Sequence, residues 1–187
     1  TGMTGYIETL TDPSYYGQIV TQTFPLIGNY GVIPADMESR KCWLTAYVVR
    51  EKCDTPSNFR CELTLEQFLK EQNIPALYGV DTRELTRIVR EAGVMNAAIT
   101  YKPLADLAEL KKYRVRDAVK SVSSHEVRER GEEKDLRVVV YDFGAKGNIV
   151  RELVKRGCHV IEVPAETTAE QALSYAEIKA LCAGDPQ

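Results

Sequence analysis

Histidine and tryptophan are scarce in this chain, with two of the first and one of the second in 187 residues. Two histidines and no C-x-x-C pair argue against a zinc site. No apolar stretch approaches the ~20 residues a membrane-crossing helix needs. Gly144 and Gly147 do not complete a G-x-G-x-x-G dinucleotide fingerprint, and no phosphate loop precedes a helix. Asp142-Phe143-Gly144 spells the magnesium triplet of protein kinases. The glycine-rich loop, strand lysine and His-Arg-Asp loop that a kinase also needs are missing, so the triplet reads as a strand-to-helix turn. The five cysteines are odd in number and irregularly spaced. They read as reduced thiols rather than a disulfide framework. The net charge of −3 carries no basic excess for nucleic acid or an anionic membrane.

An ordinary soluble composition remains, 44% apolar and 27% charged. The clearest pattern is Leu136–Pro164. Arg137–Tyr141 is a β-branched run suited to a buried strand. Ile149, Val150, Leu153 and Val154 make one helix face, Gly157 sits where a helix-terminating glycine belongs, and Val160, Ile161 and Val163 supply a second strand. This is the opening of a parallel α/β domain.

Upstream, Gln18–Phe24 and Cys42–Val49 read as strands, separated by turn signals at Asp12-Pro13 and Gly28-Asn29. Thr64–Gln67 fits a capping box that starts a helix with Leu65, Phe68 and Leu69 inward and ends near Asn73. Asp81 and Glu84 start another, with Leu85, Ile88 and Val89 inward and Gly93 at its end. Arg83, Arg87 and Arg90 with Glu84 and Glu91 read as its solvated, ion-paired face. A third helix is expected over Leu104–Lys112. Ser123–Asp135 is densely charged and reads as an inter-domain linker or a long surface excursion, with the domain boundary placed there. Thr168–Gln171 is a further capping box. Thr1 is not Met and lies within a patterned segment, from which a truncated start is expected.

Among possible nucleophiles, Cys158 has His159 beside it, but neighbours on a strand point to opposite faces. The pair reads as a buried thiol next to a strand histidine. Cys42, Cys53, Cys61 and Cys182 lack a nearby histidine, and His125 lies in the charged stretch. Gly184-Asp185-Pro186 reads as a turn, with a ligand-binding glycine loop as the other reading.

Five segments in one order carry a resemblance: Thr1–Val32, Val48–Glu51, Pro56–Arg60, Gly79–Gly93 and Tyr141–Cys158. Together the chain resembles the small, glutamine-hydrolysing subunit of carbamoyl-phosphate synthetase. The resemblance implies an α/β fold in two parts. Residues 1–122 would be the N-terminal mixed α/β small-subunit domain, 123–135 a charged linker, and 136–187 the first part of a flavodoxin-like class I glutamine amidotransferase domain. In the family a cysteine, histidine and glutamate hydrolyse glutamine through a glutamyl thioester. The ammonia passes to a large subunit, which uses ATP, magnesium and bicarbonate to make carbamoyl phosphate for arginine and pyrimidine synthesis.

The sequence departs from the family pattern in three places. About thirty leading residues are absent, a length of two or three elements. The family loop Asn-Gly-Pro-Gly-Asp-Pro is reduced to Cys182-Ala183-Gly184-Asp185-Pro186. The triad falls beyond Gln187, so no residue here is assigned to catalysis, no metal ligand is expected, and a chain alone is expected to be inactive. Gly2 and Gly184 match glutamine-contacting positions. The implied partners are the large subunit and L-glutamine, without nucleic acid or membrane; no cofactor is assigned to this chain, ATP and magnesium being the large subunit's. A cytoplasmic location is implied, with an organellar address left open. A non-catalytic docking module is the alternative. Tyr6, Tyr15, Tyr16 and Tyr30 are read either as part of a docking surface or as rings completing the core.

Overall fold

The computed structural model describes residues 4–104, 106–132 and 136–176. The chain forms two compact units, divided between Arg116 and Asp117. Both are α/β.

The first unit begins with α1 (Tyr6–Thr11) and a 3-10 turn at Pro13–Tyr15, capped by Asp12. β1 (Ile19–Gln22), β2 (Ala46–Val49) and β3 (Ala76–Leu77) form one parallel sheet in that order. β2 is central, and all four of its residues are buried, as a strand covered on both faces should be. The sequence suggested a strand from Cys42, but the regular ladder begins only at Ala46. Over the preceding residues the backbone follows other bonds: Cys42 N donates to Gln72 Oε1 at 3.2 Å and the Trp43 carbonyl accepts from Gly17 N at 3.3 Å.

α2 (Leu65–Glu71) starts with the expected capping box between Thr64 and Gln67 and buries Leu65, Phe68 and Leu69. It ends with Asn73 in the left-handed region, where Asn73 N donates to Lys70 O and Ile74 N to Leu69 O. This reciprocal pair satisfies two orphan carbonyls. α3 (Thr82–Ala92) is capped by Asp81, whose carboxylate accepts from Glu84 N. Its inward face is shorter than the periodicity suggested. Thr82 is buried and Leu85 half-buried, but Ile88 and Val89 are 42% and 41% exposed. The strands, of four, four and two residues, offer too little sheet to cover three helical turns. Arg87 pairs with Glu84 at 2.6 Å and Glu91 at 3.1 Å, the ion-paired face the sequence indicated. The third helix is confined to α4 (Ala108–Lys112).

The second unit contains α5 (Ala118–Val122), β4 (Arg128–Arg130), β5 (Arg137–Asp142), α6 (Gly147–Lys155), β6 (His159–Pro164) and α7 (Ala169–Ala176). Sheet order is β4-β6-β5, with β5 and β6 parallel and β4 antiparallel to β6. The charged stretch after Val122 is therefore not a free linker. Ser123 and Ser124 are buried, and Arg128–Arg130 pair with Val160–Glu162. A polar strand suits a sheet edge, where alternate side chains reach water.

α6 packs Val150, Leu153 and Val154 on Val138, Val140 and Val160, while Ile149 faces outward at the rim of that stripe. Gly157 N donates to Val154 O and Cys158 N to Leu153 O, with Gly157 at φ 85°, the helix stop its glycine signalled.

Candidate functional site

Gly2 and Gly184, the two positions matched to glutamine contacts, lie outside the described residues. The structure does describe what anchors the chain from Gly5 onward. Gly5 sits at φ 91° and opens α1 without a side-chain cap. The cap comes from far along the chain: the Tyr30 hydroxyl accepts from Gly5 N at 2.8 Å and Tyr6 N at 3.2 Å. The Tyr6 ring stacks on Tyr30 with centroids 4.2 Å apart, and its hydroxyl donates to Gly31 O at 2.5 Å. Burial, with Tyr30 adding to it, raises the Tyr6 phenol well above its usual range, and burial raises Tyr30 as well. Both therefore stay neutral hydrogen-bonding groups at neutral pH.

Beneath them, Tyr47 donates to Gln22 Oε1 and Gln22 Nε2 donates to Thr9 Oγ1 at 3.2 Å, tying α1 to β1 and β2. Tyr6 and Tyr30 thus complete the core around α1. Tyr15 packs partly against that core, and Tyr16 lies edge-on to Trp43 with centroids 6.3 Å apart. The Tyr30 cap gave no sequence signal, since it acts across 24 or 25 positions.

In the second unit, the C-terminal ends of parallel β5 and β6 form the edge where α/β sheets place ligands. Asp142 organises it. One carboxylate oxygen accepts from Gly144 N at 3.0 Å and Ala145 N at 2.9 Å, and the other accepts from Ser124 N at 2.7 Å. Asp142 is buried, and its oxygens hold the backbone. It is a turn anchor, as the missing kinase motifs required. An aspartate followed closely by glycine at a strand end is the local signal that marks this role. Phe143 stacks on Tyr141 with centroids 5.7 Å apart and is 59% exposed beside this edge. Among the described residues, no three His, Cys, Asp or Glu side chains converge as a metal site.

The thiols do not form a catalytic pair. Burial pushes Cys42 up to about 12, so it stays protonated. Cys158 points into the cluster around Val150 and Val160. His159 is 6% exposed and turns Nε2 toward Glu129 Oε2 at 3.2 Å, on the other side of the strand as alternation requires. Cys53 and Cys61 are half-exposed and free. Cys182 lies outside the described residues.

Comparison with known proteins identifies the kin of this chain. The model of the carbamoyl-phosphate synthase small chain, CPSase domain, matches residues 1–99. The carbamoyl phosphate synthase small chain of Clostridium perfringens is 50% identical over 177 residues, covering 92% of this chain and 50% of the relative. Those of Fusobacterium nucleatum and Bacillus caldolyticus are 51% and 46% identical, over 92% and 94% of this chain and 49% of each relative. The chain spans about half the length of these relatives.

Proposed function

This chain belongs to the carbamoyl-phosphate synthase small-chain family, and on that footing we propose that it serves glutamine-dependent carbamoyl phosphate synthesis as the part of the small subunit that docks the large one. The observation that carries the reading is the continuity of the match: about half of all positions are identical across 177 residues, through both units.

In this reading the whole small subunit hydrolyses glutamine to glutamate and ammonia through a cysteine thioester. The large subunit then consumes the ammonia with bicarbonate, ATP and magnesium. Gly2 and Gly184 offer backbone groups to glutamine. The β5–α6–β6 unit, with parallel strands and its turn held by Asp142, is the first piece of a flavodoxin-like amidotransferase sheet. Neither buried thiol is the nucleophile in this reading, because Cys42 is held protonated by burial and His159 beside Cys158 turns toward Glu129.

Size-exclusion chromatography with the cognate large subunit tests the docking role. The expected result is co-elution, without glutamine-dependent carbamoyl phosphate formation by the mixture and with ammonia-dependent formation retained. Separate elution at micromolar concentrations rejects the assignment. Glutamine-dependent turnover rejects the assignment of catalysis to residues other than these.

A further inference from the structure

Arg40 and Lys41 stand over one indole. The Arg40 Cζ lies 4.9 Å and the Lys41 Nζ 4.5 Å from the ring centroid of Trp43. Tyr16 meets the same ring edge-on. The indole is fixed in place: its Nε1 donates to Ser39 Oγ at 2.7 Å, and Ser39 Oγ donates to the Thr11 carbonyl at 2.5 Å. Both cations are exposed. The two acids just before them are otherwise placed, Asp36 paired with Arg60 at 2.9 Å and Glu38 buried. Among the described residues, no ion pair involves Arg40 or Lys41.

Two like charges gathered on one ring repel each other. An exposed cation–π contact offsets only part of that repulsion. What the arrangement lacks is a pair of carboxylates, and among the described residues none pairs with either cation. A tyrosine beside an arginine is also a pairing enriched in the energetic centres of protein interfaces. We infer that Tyr16, Arg40 and Lys41, seated on the buried Trp43 indole, form a docking surface for a carboxylate-bearing patch on the large subunit. The inference rests on the docking role proposed above and gives it a location. The opposing charges would steer the encounter and fix its register, with the half-buried Tyr16 ring beside them and the buried Trp43 indole holding the two cations in place.

Trp43 is the sole tryptophan, so a chain labelled with 5-fluorotryptophan gives one fluorine resonance that reports on this surface. Titration with the cognate large subunit is expected to shift that resonance. R40E/K41E is expected to weaken binding about tenfold or more, and R40K/K41R to hold it within about threefold. Affinity of the unaltered chain is expected to fall as salt rises. Unchanged affinity in R40E/K41E, or a fluorine resonance that stays in place at saturation, overturns the surface while leaving the partner intact. No binding by the unaltered chain overturns the partner and the surface with it.

Discussion

Tyr30 does for α1 what a serine or aspartate usually does from the next position. Its hydroxyl accepts from two backbone N–H groups at the helix start. Tyr30→Phe keeps the stack on Tyr6 and removes the acceptor. A cost of about 1–2 kcal/mol is expected from urea unfolding of the first unit, and the amides of Gly5 and Tyr6 should exchange faster. A loss below about 0.3 kcal/mol, with unchanged exchange, would contradict the cap. Gly31 is constrained twice. It sits at φ 71°, and a Cβ there would fall on Cys61 Sγ. Gly31→Ala is expected to destabilise by about 2–3 kcal/mol. Adding Cys61→Ala should recover part of that and leave about 1 kcal/mol from the left-handed backbone. No recovery in the double variant would show that the clash is not the cause.

Among the elements, β4 and the turn after β5 depend on buried acceptors. Asp142 holds three backbone N–H groups from two segments. Asp142→Ala leaves those donors facing a dry interior, at a cost of about 3 kcal/mol or more. Hydrogen exchange should then rise at Ser124, Gly144 and Ala145 while α2 is untouched. Rapid exchange of the α2 amides as well would show that the effect is not confined to this turn. In the first unit, Thr64→Ala removes one half of the capping box and should cost about 1 kcal/mol. The α3 helix shows the opposite situation. Its cap and stop are in place, yet Ile88 and Val89 remain outside because the sheet beneath is four residues long. Helical periodicity states which residues share a face, not whether anything covers that face.

Across the whole molecule, pH acts through groups with opposite shifts. Burial raises Cys42 to about 12 and Tyr47 and Tyr6 above their usual ranges. Their unfolded forms lose protons first, so the stability they contribute is complete below about pH 9 and is lost as pH rises toward their folded values. Exposed Glu66 and Glu152 run the other way. Hydrogen bonds from Lys70 and Lys52, and from Lys155 and Arg156, hold them down to about 2. Their contribution is present above the usual carboxylate range and fades as pH falls toward 2, and salt screening keeps it small. Urea midpoints should therefore fall steeply above pH 9 and only gently between pH 5 and 3. A flat alkaline limb would show that the buried phenols and thiol titrate normally. The same burial predicts that thiol reagents at pH 8 label Cys53 and Cys61 quickly, and Cys42 and Cys158 only on unfolding.

Local features were legible in the residues themselves. The caps at Thr64, Asp81 and Thr168 were legible because each motif fits within four residues. The stop at Gly157 was legible because a left-handed position favours glycine whatever surrounds it. The β5–α6–β6 pattern and the family were legible for the same reason, as ordered short motifs. The rest followed from how distant segments meet in the fold. It turned a charged stretch into β4, because a strand at a sheet edge needs a partner more than it needs apolar residues. It placed Tyr30 on the start of α1, a contact between segments whose approach no local period encodes. It also left Ile88, Val89 and Ile149 exposed, since burial depends on the area of the facing surface and not on the residue that seeks it.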